Sequence, residues 1–338
     1  MEINIPYYED NTRISNSSLG WFKISPKYFY EKLKGNIKDE EIAAFKKGSM
    51  IHMYLLQEDE FWNNYVILDY EIPKSKEQRL FCELYSNSIE LDHNLRLSKA
   101  FLGAYTIKSM SENKILSEAL KLYNKYTDYI KYLNIQDKIV ISWNDLTQLK
   151  TIKQNILNHK KAKTLLFNDS PDCETHNEFH INWVFRILTD INTNTTIDCK
   201  SLIDRFIIDH KNKVIKLIDI KTTISTATFN TDSFWKYEYG RQLAFYWLAI
   251  EWYFNEELKL DFTVYKKETY ILAIQNNGLF TIKVFRIATE ILNDYKQEIT
   301  ELLTDINWHK LNNLWEHNRA YYEGDGSELI TNDTKRTN

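Results

Sequence analysis

Apolar positions along this chain change their period near residue 160. Before that point they recur at three- and four-residue intervals, as amphipathic helices require. In SWNDLTQLKTIKQNILNH, Leu146, Leu149, Ile152 and Ile156 share one helix face. Upstream, ISNSSLGWFKISPKYFYEKL carries two helix starts, with Ser15 and Ser25 as N-caps and Pro26 in a first turn. A third helix is expected from about Asp39 into FKKGSMIHMYLLQ. Amphipathic helices continue from about Ser75 to His159, and packing of helix on helix accounts for their pattern.

Beyond residue 170 the period becomes two. NEFHINWVFRIL puts Phe179, Ile181, Trp183 and Phe185 on one face and Glu178, His180 and Asn182 on the other. TIDCKSLIDRFIID and VIKLIDIKTT follow, separated by the polar DHKNK, which predicts a three-stranded meander with Asp209 as a turn former. WKYEYGRQLAFYWLAIEWYF predicts one long helix, and TYILAIQNNGLFTIKVFRI a hairpin about an Asn-Gly turn. Two closing helices are expected to carry Trp308 and Trp315. The order helices, sheet, helix, sheet, helices predicts a single α/β (α+β) domain over 1–325 with a helical N-terminal elaboration. Its parts are N-terminal helices at 14–70, a helical insertion at 75–160, the sheet region at 173–287 and C-terminal helices at 288–322. A frayed tail is expected at 326–338.

Composition narrows the class. Of 338 residues, 43% are hydrophobic and 14% aromatic, enough for a core and too many for a disordered chain. Cys82, Cys173 and Cys199 form no CxxC pair, which suggests inert, buried thiols in a reducing, intracellular setting. A net charge of −4 argues against a general polyanion-coating protein but leaves room for a nucleic-acid enzyme with a local basic groove. MEINIPYYEDNT has no basic region followed by an apolar run, so no signal peptide is expected. AFYWLAIEWYF is too short for a membrane span and contains Glu251.

The chemistry concentrates in KLIDIKTT. Asp219 and Lys221, two apart on a strand, point to the same face. Either they form a surface ion pair on an edge strand, or they sit on an interior strand, where unpaired charge is costly. Asp204 lies fifteen positions before Asp219, and a short turn between antiparallel strands can bring the two together. Such carboxylates repel unless a cation lies between them, and oxygen ligands suit Mg²⁺ or Mn²⁺. Lys221 beside them could orient or deprotonate water or stabilise charge developing on phosphorus, a workable kit for phosphodiester hydrolysis.

Asp204 followed by Asp219-Ile220-Lys221 resembles the core of the PD-(D/E)xK nuclease superfamily. GRQLAFYW, with Gln242 and Tyr246, resembles the Gln-xxx-Tyr helix of its RecB/lambda-exonuclease-like branch. KGSMIHMYLL, with Gly48 and His52, resembles that branch's Gly-x-x-x-His motif. ISNSSLGWFKISPKYFY together with GSMIH resembles the start of RecE-type (exonuclease VIII) exonucleases of phage recombination systems. The resemblance runs from about Ile14 to the Gln242 helix. Ile203 stands where the family's Pro often stands, and Asp219 replaces Glu; no motif covers 75–160 or the C-terminal helices.

The resemblance implies a mixed central sheet of restriction-endonuclease-like type and a Mg²⁺-dependent DNA exonuclease, with Mn²⁺ able to substitute. Asp204, Asp219 and the Ile220 carbonyl would hold metal, assisted by His52 and Glu178. Lys221 would position or activate water, and Gln242 and Tyr246 would complete the catalytic set. Thr222, Thr223, Arg241 and Arg205, with Lys200 as a lesser candidate, would contact DNA. It further implies attack on linear duplex ends, 5′→3′, giving 5′-mononucleotides and a 3′ strand for annealing. A ring trimer or tetramer, a single-strand-annealing partner protein and the cytoplasm of a bacterial or phage-infected cell complete the expectation. An endonuclease or single-strand nuclease on the same core, or a non-catalytic DNA-end-binding scaffold, are the alternatives. Against this stand ordinary roles: His52 as a core histidine, Glu178 as a solvated strand residue, and Tyr246 as part of a buried helix face. Trp21, Phe22, Tyr28 and Tyr30 could stack on bases, although aromatics at helical spacing are more often core.

Overall fold

The computed structural model describes residues 6–38, 43–107, 109–135, 137–167, 170–187 and 195–327. Asp39 and the expected frayed tail from 328 onward lie outside the described residues. In chain order the elements begin with α1 (Asn16–Ile24), α2 (Pro26–Leu33), α3 (Ala43–Leu56), α4 (Glu58–Asn64) and β1 (Tyr65–Ile67). Next come α5 (Lys76–Asn87), α6 (His93–Ala104), α7 (Glu112–Leu133), β2 (Ile139–Ile141), α8 (Trp143–Asn158) and α9 (Lys160–Leu166). The sheet region holds β3 (Cys173–Ile187), β4 (Thr195–Asp209), β5 (Val214–Thr223), α10 (Ser233–Lys236), α11 (Tyr239–Trp252), β6 (Lys266–Gln275) and β7 (Ile282–Arg286). Helices α12 (Thr289–Asn312) and α13 (Arg319–Glu323) follow.

The chain forms two compact units, one of residues 57–153 and the other of 1–56 with 154–338. In the first, α5, α6 and α7 enclose a core of Phe81, Cys82, Leu97, Phe101, Ala119 and Tyr126. A short parallel pair, β1 with β2, accompanies them.

The second unit is built on a five-stranded mixed sheet in the order β3-β4-β5-β6-β7, flanked by helices. Strands β3, β4 and β5 form the expected antiparallel meander, and β6 and β7 the expected hairpin, with Gly278 in the left-handed region of its turn. Strand β6 lies parallel to β5, a pairing that needs a crossover, and α10 and α11 provide it. Strand β5 is the third of five, and Ile215, Leu217, Ile218 and Ile220 are fully buried. A central strand covered on both faces reads as a continuous apolar run. Asp219 and Lys221 are thus on an interior strand, and the edge-strand ion pair is excluded.

Ser15 and Ser25 cap α1 and α2 as their positions predict, Ser15 through a reciprocal box with Ser18. Leu146, Leu149, Ile152 and Ile156 of α8 are all buried. The single helix expected around WKYEYGRQLAFYWLAIEWYF is instead divided into α10 and α11. The break is Glu238, whose backbone is left-handed (φ 49°) and whose carboxylate takes hydrogen bonds from Lys23 and Arg241. Trp315 lies between α12 and α13 rather than on a helix, and stacks on Tyr30 at 4.9 Å. Cys173 is only half-buried, unlike Cys82 and Cys199.

Helix α11 packs on the sheet through Leu243, Phe245 and Trp247, with Phe245 4.9 Å from Trp183 on β3. Its first turn meets α12 so closely that a Cβ on Gly240 would lie 2.3 Å from the Tyr295 ring. Gly240→Ala is therefore expected to cost about 1–3 kcal/mol through overpacking, despite alanine's better helix propensity. The check is a lower urea midpoint at unchanged m-value.

Candidate functional site

Strands β4 and β5 pair only from Arg205↔Ile218 to Asp209↔Val214. Carried one step further, that register would set Asp204 against Asp219. Instead the sheet forks. The backbone N–H of Ile220 donates to Asp204 Oδ2 at 2.7 Å, so a side chain takes the place of the next ladder bond. Beyond the fork β4 stays paired with β3, and β5 with β6. The meander's spacing had placed the two carboxylates on neighbouring strands, and the strands stop pairing at their level.

On the other side of β4, Glu178 lies between the pairs Asn177↔Arg205 and Phe179↔Ile203, directly opposite Asp204. Like charges at opposed positions are destabilising. Glu178 also holds a left-handed backbone (φ 46°), which costs a side-chain-bearing residue roughly 1–2 kcal/mol. Strain and repulsion thus coincide at one residue pair.

Helix α3 brings His52 to that pair. Asn177 donates from Nδ2 to the Leu56 carbonyl at 3.1 Å, tying the end of α3 to β3. Near its other end, Lys47 Nζ donates to the Asn276 carbonyl at 2.7 Å. One turn before His52, Gly48 faces Thr222, whose Oγ1 would lie 3.4 Å from a Cβ there. Nδ1 of His52 stands 3.5 Å from Asp204 Oδ2 and 3.7 Å from Glu178 Oε1. Ligand atoms of His52, Glu178 and Asp204 all fall within 4.8 Å of one another. Burial pulls the His52 pKa down, but Asp204 and Glu178 outweigh it and hold it above the ordinary imidazole value.

Asp219 faces Lys221. Its Oδ1 accepts a hydrogen bond from Nζ at 3.1 Å, while Oδ2 lies 2.9 Å from the same nitrogen. Oδ2 is buried and has no hydrogen-bond partner among the described residues, so the 2.9 Å contact is an ion pair outside hydrogen-bonding geometry. Burial pushes the Asp219 carboxyl up, and against the pull of Lys221 it settles at about 6. For Lys221, burial lowers the pKa, but Asp219 and Asp204 reverse that and leave the ammonium more basic than usual. The Tyr239 ring, 4.9 Å from Nζ, backs this ammonium. Nothing in the local sequence marked Tyr239 as a partner of Lys221.

On α11, Gln242 Nε2 donates to Tyr246 Oη at 2.7 Å, as their one-turn spacing allows. Burial raises the Tyr246 pKa well above its ordinary value, and the charges of Asp219 and Asp204 add to it.

The basic side chains expected to contact DNA are buried. Arg205 is 2% exposed, donating from Nε to the Leu165 carbonyl at 2.9 Å and from Nη1 to Asn177 Oδ1 at 2.6 Å. Arg241 is buried and bonds Asn16 Oδ1 and Glu238. Lys200 is buried and donates to the carbonyls of Tyr7 and Asp10. All three are engaged inside the fold. Thr223 Oγ1 closes a turn with Ser225, and Thr222 is half-buried against α3.

The donor set tests well for a divalent cation. It offers carboxylates of Glu178 and Asp204, one imidazole nitrogen, and the orphaned Asp219 Oδ2 nearby. Hard oxygen donors with a single nitrogen suit Mg²⁺ or Mn²⁺. A cation would also relieve the opposition of Glu178 to Asp204.

No family model matches the chain, and no curated protein sequence does. Among solved structures, a candidate exonuclease from Eubacterium rectale is similar over 98% of this chain and 95% of that one, with a TM-score of 0.48 and 12% identity. The likeness is distant. Among the described residues, no helix is long and apolar enough to cross a membrane.

Proposed function

We propose that this protein is a Mg²⁺-dependent nuclease of the PD-(D/E)xK type, and specifically a RecE-like exonuclease acting on the ends of double-stranded DNA. The forked β4–β5 junction carries this reading, because it sets Asp204 beside the Asp219–Lys221 pair and within reach of His52 and Glu178. Asp204, Asp219, His52, Glu178 and the Ile220 carbonyl would hold the cation. When bound, it would supply Lewis-acid polarisation of a phosphate oxygen and a more acidic water.

The chain's own groups then do the rest. Lys221 stays protonated, so it orients water and offsets charge developing on phosphorus. Tyr239 fixes the ammonium's position, and Gln242 with Tyr246 closes the site on the α11 side. Intact acids and lysine favour an enzyme over a non-catalytic end-binding scaffold. Polarity, 5′-mononucleotide products, a ring trimer or tetramer and a single-strand-annealing partner belong to this reading through resemblance.

Linear duplex DNA labelled at the 5′ or 3′ end tests it, with Mg²⁺ or EDTA, beside circular and single-stranded DNA. Release of 5′-labelled mononucleotide from linear duplex alone is expected. Cleavage of circles would make it an endonuclease. Chelator-insensitive binding without cleavage of any substrate would leave only the scaffold.

Metal binding has its own readout. Mn²⁺ is expected to raise the thermal midpoint, by RT ln(1 + [L]/Kd) in free energy. His52 binds only as neutral imidazole, and its raised pKa makes protons strong competitors. The Mn²⁺-induced shift should therefore shrink from about pH 8 to about pH 6. In His52→Ala the shift should be smaller and less pH-dependent; an unchanged shift would remove His52 from the ligand set.

A further inference from the structure

A second concavity lies towards the C-terminal end of α11, away from Gln242. Its floor is apolar and buried: Trp247 of α11, Phe262 from the turn Phe262–Val264, and Leu292 of α12. The space measures about 570 Å³, within the roughly 300–1,000 Å³ common to small-ligand sites. Trp247 Nε1 donates to Thr269 Oγ1 at 2.8 Å, which holds the indole and satisfies its polar atom. Thr269 on β6 pairs with Leu217 on β5, two positions before Asp219. The concavity and the fork therefore share one layer of the fold, yet Asp204, Asp219, Lys221, His52 and Glu178 do not line it.

Charge surrounds this floor unevenly. Lys267, Arg286 and Lys296 line the space with a single carboxylate, Glu251. Among the described residues Lys267 forms no ion pair, and its Nζ stands over the Phe262 ring at 4.2 Å. Arg286 reaches Glu268 only at 4.0 Å, and Lys296 reaches Glu251 only at 3.9 Å, both beyond hydrogen-bond length. Glu268 is already held by Lys266 at 2.8 Å and by the Tyr270 hydroxyl at 2.9 Å. Long, partly exposed ion pairs contribute little, so an anion can displace them at small cost. Reduced hydration lowers the Lys267 pKa, Glu251 raises it, and Lys296 lowers it again, as two ammonium groups facing one space would.

We infer that this concavity binds a mononucleotide, with its phosphate held by Lys267, Arg286 and Lys296 and its base against the Trp247–Phe262–Leu292 floor. The lining cations exceed the lining carboxylate by two. A phosphomonoester carries about −1.5 to −2 at neutral pH and matches that excess, whereas each diester of a strand carries only one charge. A guanidinium fork beside two ammonium groups suits phosphate oxygens, and an apolar floor suits the flat body attached to them. The site goes beyond the nuclease reading and does not depend on it, because it shares no residue with the fork.

The test is calorimetric titration with 5′-dAMP, deoxyadenosine and inorganic phosphate, in EDTA so that no divalent cation occupies the fork. The nucleotide is expected to bind more tightly than either fragment. Lys267→Gln and Arg286→Gln should each weaken 5′-dAMP binding about 10-fold to 100-fold, the loss of one charge-assisted contact, and Lys267→Arg should retain it. Thermal midpoints should match the parent, because both side chains are exposed. Lys221→Ala should bind 5′-dAMP as the parent does. Loss in Lys221→Ala with full binding in Lys267→Gln places the nucleotide at the fork and overturns the site. A parent that takes up no 5′-dAMP at about 1 mM overturns it as well. Inorganic phosphate binding as tightly as 5′-dAMP overturns the base contact. A single-stranded oligonucleotide that binds more tightly, and is lost in the same variants, overturns the mononucleotide in favour of a strand.

Discussion

If the protein is the nuclease proposed, Lys221→Ala is expected to lower kcat for Mg²⁺-dependent DNA hydrolysis by about 10²–10⁴-fold while the fold persists. The magnitude is that of losing one positioned proton-transfer or charge-stabilising group, about 3–5 kcal/mol of barrier. Lys221 makes its ionic contacts to Asp219 and its ring contact to Tyr239. Asp219 would be left buried without its ammonium, which favours its protonated form further. Binding of non-cleavable DNA should survive in Ca²⁺. Asp204→Asn makes a useful companion, since it loses metal affinity as well as rate. Wild-type rates in Lys221→Ala would end the proposed role of that lysine.

Arg205→Ala is expected to destabilise the protein by roughly 3–5 kcal/mol, the second large effect. Arg205 is among the largest fully buried side chains, and it joins β4 to α9 through Leu165 and to β3 through Asn177. Removing it strands the buried Leu165 carbonyl and the half-buried Asn177 amide oxygen and opens a cavity in one step. Arg205→Met restores volume but not donors, and should recover part of the loss. Urea unfolding decides the matter: a change below about 1 kcal/mol would show the guanidinium to be dispensable. Asn177 also anchors α3, so loosening it should weaken Mn²⁺ binding by letting His52 drift.

The Arg205 case shows where sequence reading stopped. An arginine next to a metal-site aspartate reads as a phosphate contact, and only the strand alternation hints otherwise. Asp204 faces the fork, so Arg205 must face the other way, into the fold. The meander, the hairpin and the caps of α1 and α2 were legible because each depends on residues near in sequence. Asp219 and Lys221 were legible as neighbours for the same reason. The fork was not, because it depends on Ile220 donating to a side chain rather than to a strand. Neither was the left-handed Glu178, nor the break at Glu238, whose carboxylate meets Lys23 from 215 positions away.

Asn177 and Leu56 touch across 121 positions of sequence, and Lys200 reaches back 193 positions to Tyr7. Residues 57–153 complete their own core from local helices. During synthesis, α1 to α3 thus leave the ribosome long before any strand they dock on exists. The intervening unit can fold meanwhile, at the speed that short-range contacts permit. His52 then waits exposed on an unfinished N-terminal segment until β3 to β5 arrive. A nascent chain stalled before about residue 220 would carry His52 but not the Asp219–Lys221 pair. The candidate site would thus assemble only once β5 has been made.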